Sequence, residues 1–129
     1  MIHLKKLLRG TQFSLRMHPS YGGYGIDSWD LRCIGRTWFH FGARDIGHID
    51  PYASLWNTGL LVVGLNETAR EDDIAALRAL LVRYARVKNI GVYMYRGGSP
   101  FVPDCYDPEN EVKAQTLVLP GQYREHIAA

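Results

Sequence analysis

The segment from Thr68 to Lys88 constrains the fold more than any other part of this 129-residue chain, because its pattern predicts a long amphipathic helix. Thr68 and Glu71 have the spacing of a capping box, in which each side chain accepts a hydrogen bond from a backbone amide. Asn89 suits the left-handed conformation that ends many helices. Apolar residues recur every three or four positions and predict one buried stripe: Ile74, Leu77, Leu81, Tyr84 and Val87. Such a helix needs an apolar surface to pack on.

Apolar runs on either side of this helix predict that surface. Residues 60–63 are Leu-Leu-Val-Val, which is typical of a central strand covered on both faces. Residues 90–95 form a second run, so 59–96 is expected to be a strand-helix-strand unit with parallel strands. Further strands are predicted at 12–17, 29–33, 37–41 and 115–119. The expected fold is α+β, with a mixed, mostly antiparallel sheet of about five or six strands and the helix 68–88 packed on one face.

The composition indicates one globular domain over residues 1–129. Hydrophobic residues make up 47% of the chain and charged residues 22%, a balance typical of globular proteins. Cys33 and Cys105 are too few for a disulfide framework. No group of Cys and His has the spacing of a structural zinc site. The sequence therefore assigns no metal, no cofactor and no catalytic residue.

Hydropathy and net charge bear on location and partners. Basic residues interrupt the apolar ones in the first nine positions, so no secretory signal is recognised. The longest apolar run, 59–65, is far too short to cross a bilayer. A cytoplasmic protein without a membrane partner is expected. The net charge of +2 is too small to indicate a nucleic-acid partner.

The segment 97–111 carries the sharpest local charge in the chain, four acidic residues with no lysine or arginine among them. A solvated loop would also have this composition. Binding residues, however, concentrate in loops held by a rigid scaffold, and aromatic side chains bury a large area with few rotatable bonds. We expect partner contacts from Phe101, Asp104, Tyr106, Asp107, Glu109 and Glu111, and from Tyr21 and Tyr24 in a glycine-rich turn.

A small enzyme is an alternative hypothesis. His40, Asp45, His48 and Asp50 are metal-ligand or acid-base residue types within eleven positions. Their spacing fits no compact helical ligand pair, and residues 45–50 also have the composition of an ordinary polar loop. Because sequence adjacency does not supply the mutual geometry of a site, structure or solvation is the better explanation of these residues.

An RNA-binding module is a further alternative. The predicted helix carries four cationic residues off its apolar stripe, Arg78, Arg83, Arg86 and Lys88. Together with the aromatic run 37–41 they could form a stacking platform for a single strand, but no ribonucleoprotein motif accompanies them. The same charges also suit the C-terminal half of any helix, where they complement the helix dipole.

A small chain without a catalytic motif, but with an aromatic and acidic loop, resembles the cytosolic immunity proteins that neutralise bacterial toxins, notably those of contact-dependent growth inhibition. The resemblance covers the whole chain in general character, and no residue is carried over because these proteins share no common motif. It implies a non-enzymatic protein, a monomer or small homo-oligomer, that covers the active site of a cognate protein toxin such as a nuclease.

The net charge departs from the acidic character expected of a nuclease inhibitor. Either the acidic residues of 104–111, together with those of 67–73, supply the complementary charge, or the target is not a nuclease. We expect the former.

Overall fold

The computed structural model describes residues 2–18, 28–34, 43–49, 59–97 and 112–127. Within these ranges the chain forms, in order, α1 (Ile2–Leu8), β1 (Phe13–His18), β2 (Ser28–Ile34), β3 (Ala43–Ile49), β4 (Leu60–Leu65), α2 (Glu71–Lys88), β5 (Gly91–Gly97), β6 (Val112–Val118) and α3 (Arg124–Ile127). None of these described helices is both long enough and apolar enough to cross a bilayer.

The strands form one sheet in their order along the chain. Neighbouring strands pair antiparallel except β4 and β5, which are parallel. Antiparallel neighbours can be joined by a short turn, whereas a parallel pair needs a crossover connection, which α2 provides here. The predicted strand-helix-strand unit and the mixed, mostly antiparallel sheet with one long helix are therefore confirmed.

One face of the sheet, which we call the helix face, packs on α1 and α2 and forms the main core. β4 contributes Leu61 and Val63 to it, and α2 contributes Leu77 and Leu81, all at most 5% exposed. On the opposite face, the second face, Val62 is also completely buried. β4 is therefore covered on both sides, as its continuous apolar run predicts.

The start of α2 differs from the prediction. The helix begins at Glu71, its N-cap residue is Arg70, and no side chain caps it. The predicted capping box is therefore wrong. The reason is a hydrogen-bonded turn just before the helix, in which the Ala69 amide donates to the Asn66 carbonyl at 3.1 Å and Thr68 belongs to the turn.

The apolar stripe of α2 also differs at its C-terminal end. Val87 is 83% exposed, while Val82 and Ala85 are fully buried. Tyr84 follows Leu81 by three residues, and Val87 follows Tyr84 by three. Each interval rotates the side chain about 60° less than a full turn around the helix axis, so Val87 lies away from the buried side of the helix. The predicted end of the helix is confirmed, because Asn89 adopts the left-handed conformation with φ 54°.

β3 occupies residues that the sequence pattern assigned to a polar loop, so that part of the prediction for 45–50 is wrong. Ala43–Ile49 pairs with strands on both sides, and Ile46 and Ile49 are 1% and 2% exposed. The register against β2 shifts by one residue next to Leu31. This bulge interrupts the alternation of buried and exposed positions by which strands are recognised in a sequence.

The remaining elements confirm most of the prediction. β1, β2 and β6 lie at the strands predicted at 12–17, 29–33 and 115–119, and Cys33 is buried. The strand predicted at 37–41 lies outside the described residues. α1 was not predicted from the sequence, although Leu4 and Leu8 are four residues apart and both are buried in the main core.

Two glycines give a matched test of close packing in the sheet. A β-carbon on Gly47 would lie 2.3 Å from the carbonyl oxygen of Gly64, whereas one on Gly59 would meet nothing within 4 Å. We expect Gly47→Ala to lower the free energy of unfolding by about 1–3 kcal/mol. Gly59→Ala should leave it unchanged or raise it by up to about 1 kcal/mol. Urea unfolding measures both, and equal losses in the two variants would contradict the proposed backbone contact.

Candidate functional site

The second face of the sheet carries a row of mostly polar residues, one from each strand. The strand registers place each member opposite the next, and the row runs from β1 to β6 as Arg16, Asp30, His48, Gly64, Tyr95 and Gln115. These positions alternate with core residues of the same strands, so they share the face opposite the helices. We call these six residues the polar row.

Gly64 brings His48 and Tyr95 together over β4. A β-carbon on Gly64 would lie 2.6 Å from Cε1 of His48 and 2.8 Å from the hydroxyl oxygen of Tyr95. The imidazole and the phenol therefore occupy the space that a side chain at this position would fill. Both groups can donate and accept hydrogen bonds. Tyr95 is only 4% exposed, while His48 is partly accessible.

A carboxylate lies on the other side of His48. Asp30 is directly opposite His48 in the antiparallel pair of β2 and β3, and residues in this relation place their β-carbons about 5 Å apart. Asp45, by contrast, forms an ion pair with Arg32, whose Nε lies 3.3 Å from Oδ1 of Asp45. These two side chains are 30% and 53% exposed, so the pair contributes at most about 1 kcal/mol.

A buried aromatic cluster shares Tyr95 with the polar row. The ring centroids of Tyr93 and Tyr95 are 6.0 Å apart, and the Tyr93 hydroxyl donates to the side-chain oxygen of Gln115. Val62 completes this cluster. Burial raises the pKa of Tyr93 above its ordinary value. The cluster therefore favours a neutral phenol that remains a hydrogen-bond donor at high pH.

The polar row can move a proton or hold a polar group, since imidazole, phenol and carboxylate lie in one line. Among the described residues, no three or more His, Cys, Asp or Glu side chains are grouped so that they could hold a metal ion.

No protein-family model, curated protein or solved structure matches the chain significantly.

The structure describes two of the four residues of the enzyme hypothesis. His48 joins the polar row and Asp45 pairs with Arg32, whereas His40 and Asp50 lie outside the described residues. Sequence reasoning missed Asp30 and Tyr95. Their alternation with core residues could have placed them on the second face, but their position opposite His48 and Gly64 depends on the registers between strands, which no local pattern specifies.

All eight residues predicted to contact a partner lie outside the described residues. The eight residues belong to two segments of the chain, and the strands before and after each segment are described. Residues 98–111 connect β5 to β6 at one edge of the sheet, and residues 19–27 connect β1 to β2 at the opposite edge. The two predicted groups are therefore anchored on strands at opposite edges.

Tyr93 gives a prediction for the pH dependence of stability. Its raised pKa means that the stability it contributes is complete below the pKa of an unfolded tyrosine, about 10, and is lost as the pH rises through the higher folded value. We therefore expect the free energy of unfolding to fall less in the Tyr93→Phe variant than in the wild type when the pH is raised from about 8 to about 11. Urea unfolding at each pH measures this difference. Burial also raises the pKa of Tyr84, so some loss remains. Parallel pH profiles for the two proteins would contradict this assignment.

Proposed function

We propose that this chain is a non-catalytic protein-binding protein, a cytoplasmic immunity protein that neutralises a cognate toxin by covering its active site. The observation that carries the proposal is the pair of exposed leucines on and just after the edge strand β6. Leu117 is 47% exposed and Leu119, just after the strand, is 44% exposed. Among the described residues β6 pairs only with β5. An edge strand with exposed apolar side chains is a template for association with another chain.

The exposed leucines continue a surface that is already apolar. Leu117 lies opposite Tyr93 on the second face. A β-carbon on Gly91 would lie 2.9 Å from Leu60 and 3.6 Å from Leu119, so these two leucines are neighbours across β5 with no side chain between them. We call Leu60, Leu117 and Leu119 the leucine strip. An apolar centre of this kind, surrounded by polar residues, is the usual anatomy of a protein interface.

Acidic residues that precede β6 support a partner with a basic binding surface. The acidic segment 104–111 immediately precedes β6, and the acidic first turn of α2 follows β4 at the same end of the sheet. Two carboxylates of that turn are already paired, Glu71 with Arg96 and Asp73 with Arg44. The segment 104–111 is therefore the better source of the charge that would complement a phosphate-binding surface.

The two features suggest one binding mode. A strand of the toxin would pair with the outer edge of β6 through backbone hydrogen bonds, as in other cases of strand addition. The leucine strip would supply apolar contact. Asp104 and Asp107 would face the cationic groups of the toxin's active site.

The test is quantitative affinity capture from the native cell with wild type and three variants. Asp104→Lys with Asp107→Lys reverses the acidic segment, Leu117→Lys disrupts the leucine strip, and Val87→Lys is the matched control on the exposed side of α2. We expect one partner to be recovered with wild type and control but at least about tenfold less with the other two, because buried interface residues carry most of the binding energy. Circular dichroism and thermal unfolding check that each variant is folded.

A protein recovered equally with all four forms contradicts the proposed surface. The immunity role is tested separately by expressing the captured partner with and without this chain. A partner that is harmless to cells lacking the chain contradicts that role.

A second candidate function, acid-base catalysis, is favoured by one observation. The polar row places His48 beside Tyr95 and opposite Asp30, three residues from separate parts of the sequence. If this row is catalytic, His48→Gln should abolish turnover of an ester or nucleotide substrate, while His126→Gln, a partly exposed histidine on α3, should retain it. Turnover that persists in His48→Gln, or its absence in the wild type across such a panel, contradicts this function.

A further inference from the structure

A shallow pocket of about 70 Å³ opens on the helix face, between α2 and the edge of the sheet formed by β5 and β6. Met94 and Thr116 contribute to it from the two strands, and Ile74 and Arg78 from the helix. Arg96, at the end of β5, completes this group. The pocket lies on the opposite face of the sheet from the leucine strip, so it is a separate surface.

Arg96 is held in a fixed position beside this pocket. One of its terminal nitrogens, Nη1, donates to Oε1 of Glu71 at 3.1 Å, and the other, Nη2, donates to the carbonyl oxygen of Ala69 at 2.7 Å. The Arg96 side chain is 19% exposed. Its Nε is buried and has no hydrogen-bond partner among the described residues. One donor of a positioned guanidinium is thus left without an acceptor.

Arg78 has a charge that its own helix does not neutralise. The residues three and four positions away from it on α2 are all apolar: Ile74, Ala75, Leu81 and Val82. Side chains at these distances are the ones that pair on a helix surface. The Nε of Arg78 is also buried without a hydrogen-bond partner among the described residues. Leaving such a donor unsatisfied is unfavourable, and an acceptor towards which the side chain can turn in the pocket would relieve this cost.

We propose that this pocket binds a small oxyanion, a carboxylate or a phosphate group, between Arg78 and Arg96. Guanidinium groups present several N–H donors in a planar fork that matches both kinds of oxyanion. Two cationic side chains and one carboxylate, that of Glu71, line the pocket, so cationic groups predominate there. Its small volume suits one anionic group, with the rest of a larger ligand extending into solvent.

Glu71 acts as an internal competitor for this site. Its carboxylate binds Arg96 although the Glu71 side chain is 80% exposed, so a ligand oxyanion can replace it without displacing a buried group. Removing the charge of Glu71 should therefore strengthen anion binding, while Arg96 stays positioned by the Ala69 carbonyl.

The test is titration of the full chain at low ionic strength with inorganic phosphate and, separately, with acetate, followed by amide chemical shifts. We expect saturable binding of at least one anion with a Kd on the order of 1 mM. Arg78→Gln should weaken it about tenfold, and Arg78→Lys, which keeps the charge but loses the fork, should weaken it by about threefold. Glu71→Gln should tighten it by about threefold.

Two control variants remove the same charges elsewhere on α2, one a positive charge as in Arg78→Gln and one a negative charge as in Glu71→Gln. Arg83→Gln and Asp72→Asn are at exposed positions of α2 and should leave the affinity within about twofold of wild type. Saturation by phosphate alone identifies a phosphoryl ligand, and saturation by acetate alone identifies a carboxylate. The proposal is overturned if neither anion saturates the wild type, or if Arg83→Gln weakens binding as much as Arg78→Gln.

Discussion

The burial of β4 on both faces is the constraint on which the rest of the structure depends. Val63 and Val62 point to opposite sides of the same strand, and both are completely buried. An apolar strand of this kind is stable only with cover on each side. On one side α2 provides it, and by returning the chain to the start of β5 the helix also creates the parallel pair. The antiparallel strands then extend the sheet outward from this centre.

Polar contacts fix the start of α2, which no side chain caps. Arg44 of β3 binds Asp73, and Arg96 of β5 binds both Glu71 and the Ala69 carbonyl. Two carboxylates in the first turn of the helix are thus paired with arginines of the sheet, and these pairs connect the helix to two strands. Because these carboxylates are already paired, the acidic residues before β6 are the main acidic feature of the chain, and cationic groups predominate at the pocket.

Local periodic patterns made much of the fold predictable, whereas features that depend on register were not. α2 could be predicted from the regular spacing of its apolar residues, and β4 from its continuous apolar run. β3 could not be predicted, because the bulge at Ile46 interrupts the alternation of buried and exposed residues along the strand. His48 stood out by residue type alone, but its neighbours Asp30 and Tyr95 come from strands whose alignment no local pattern specifies. The same holds for the pocket, since Arg78 and Arg96 line it together only because α2 packs on the sheet.

The parallel pairing of β4 and β5 also has a consequence for the route by which the chain folds. The pairs among β1 to β4, and the pair β5 and β6, each join strands that follow one another without a crossover. They are two ribbons with comparatively local contacts. Joining them requires the loop that contains α2 to close and the helix to dock, and contacts between distant residues form more slowly than local ones. Docking of α2 is thus the step that unites the two ribbons, and we expect it to be slower than the formation of either ribbon.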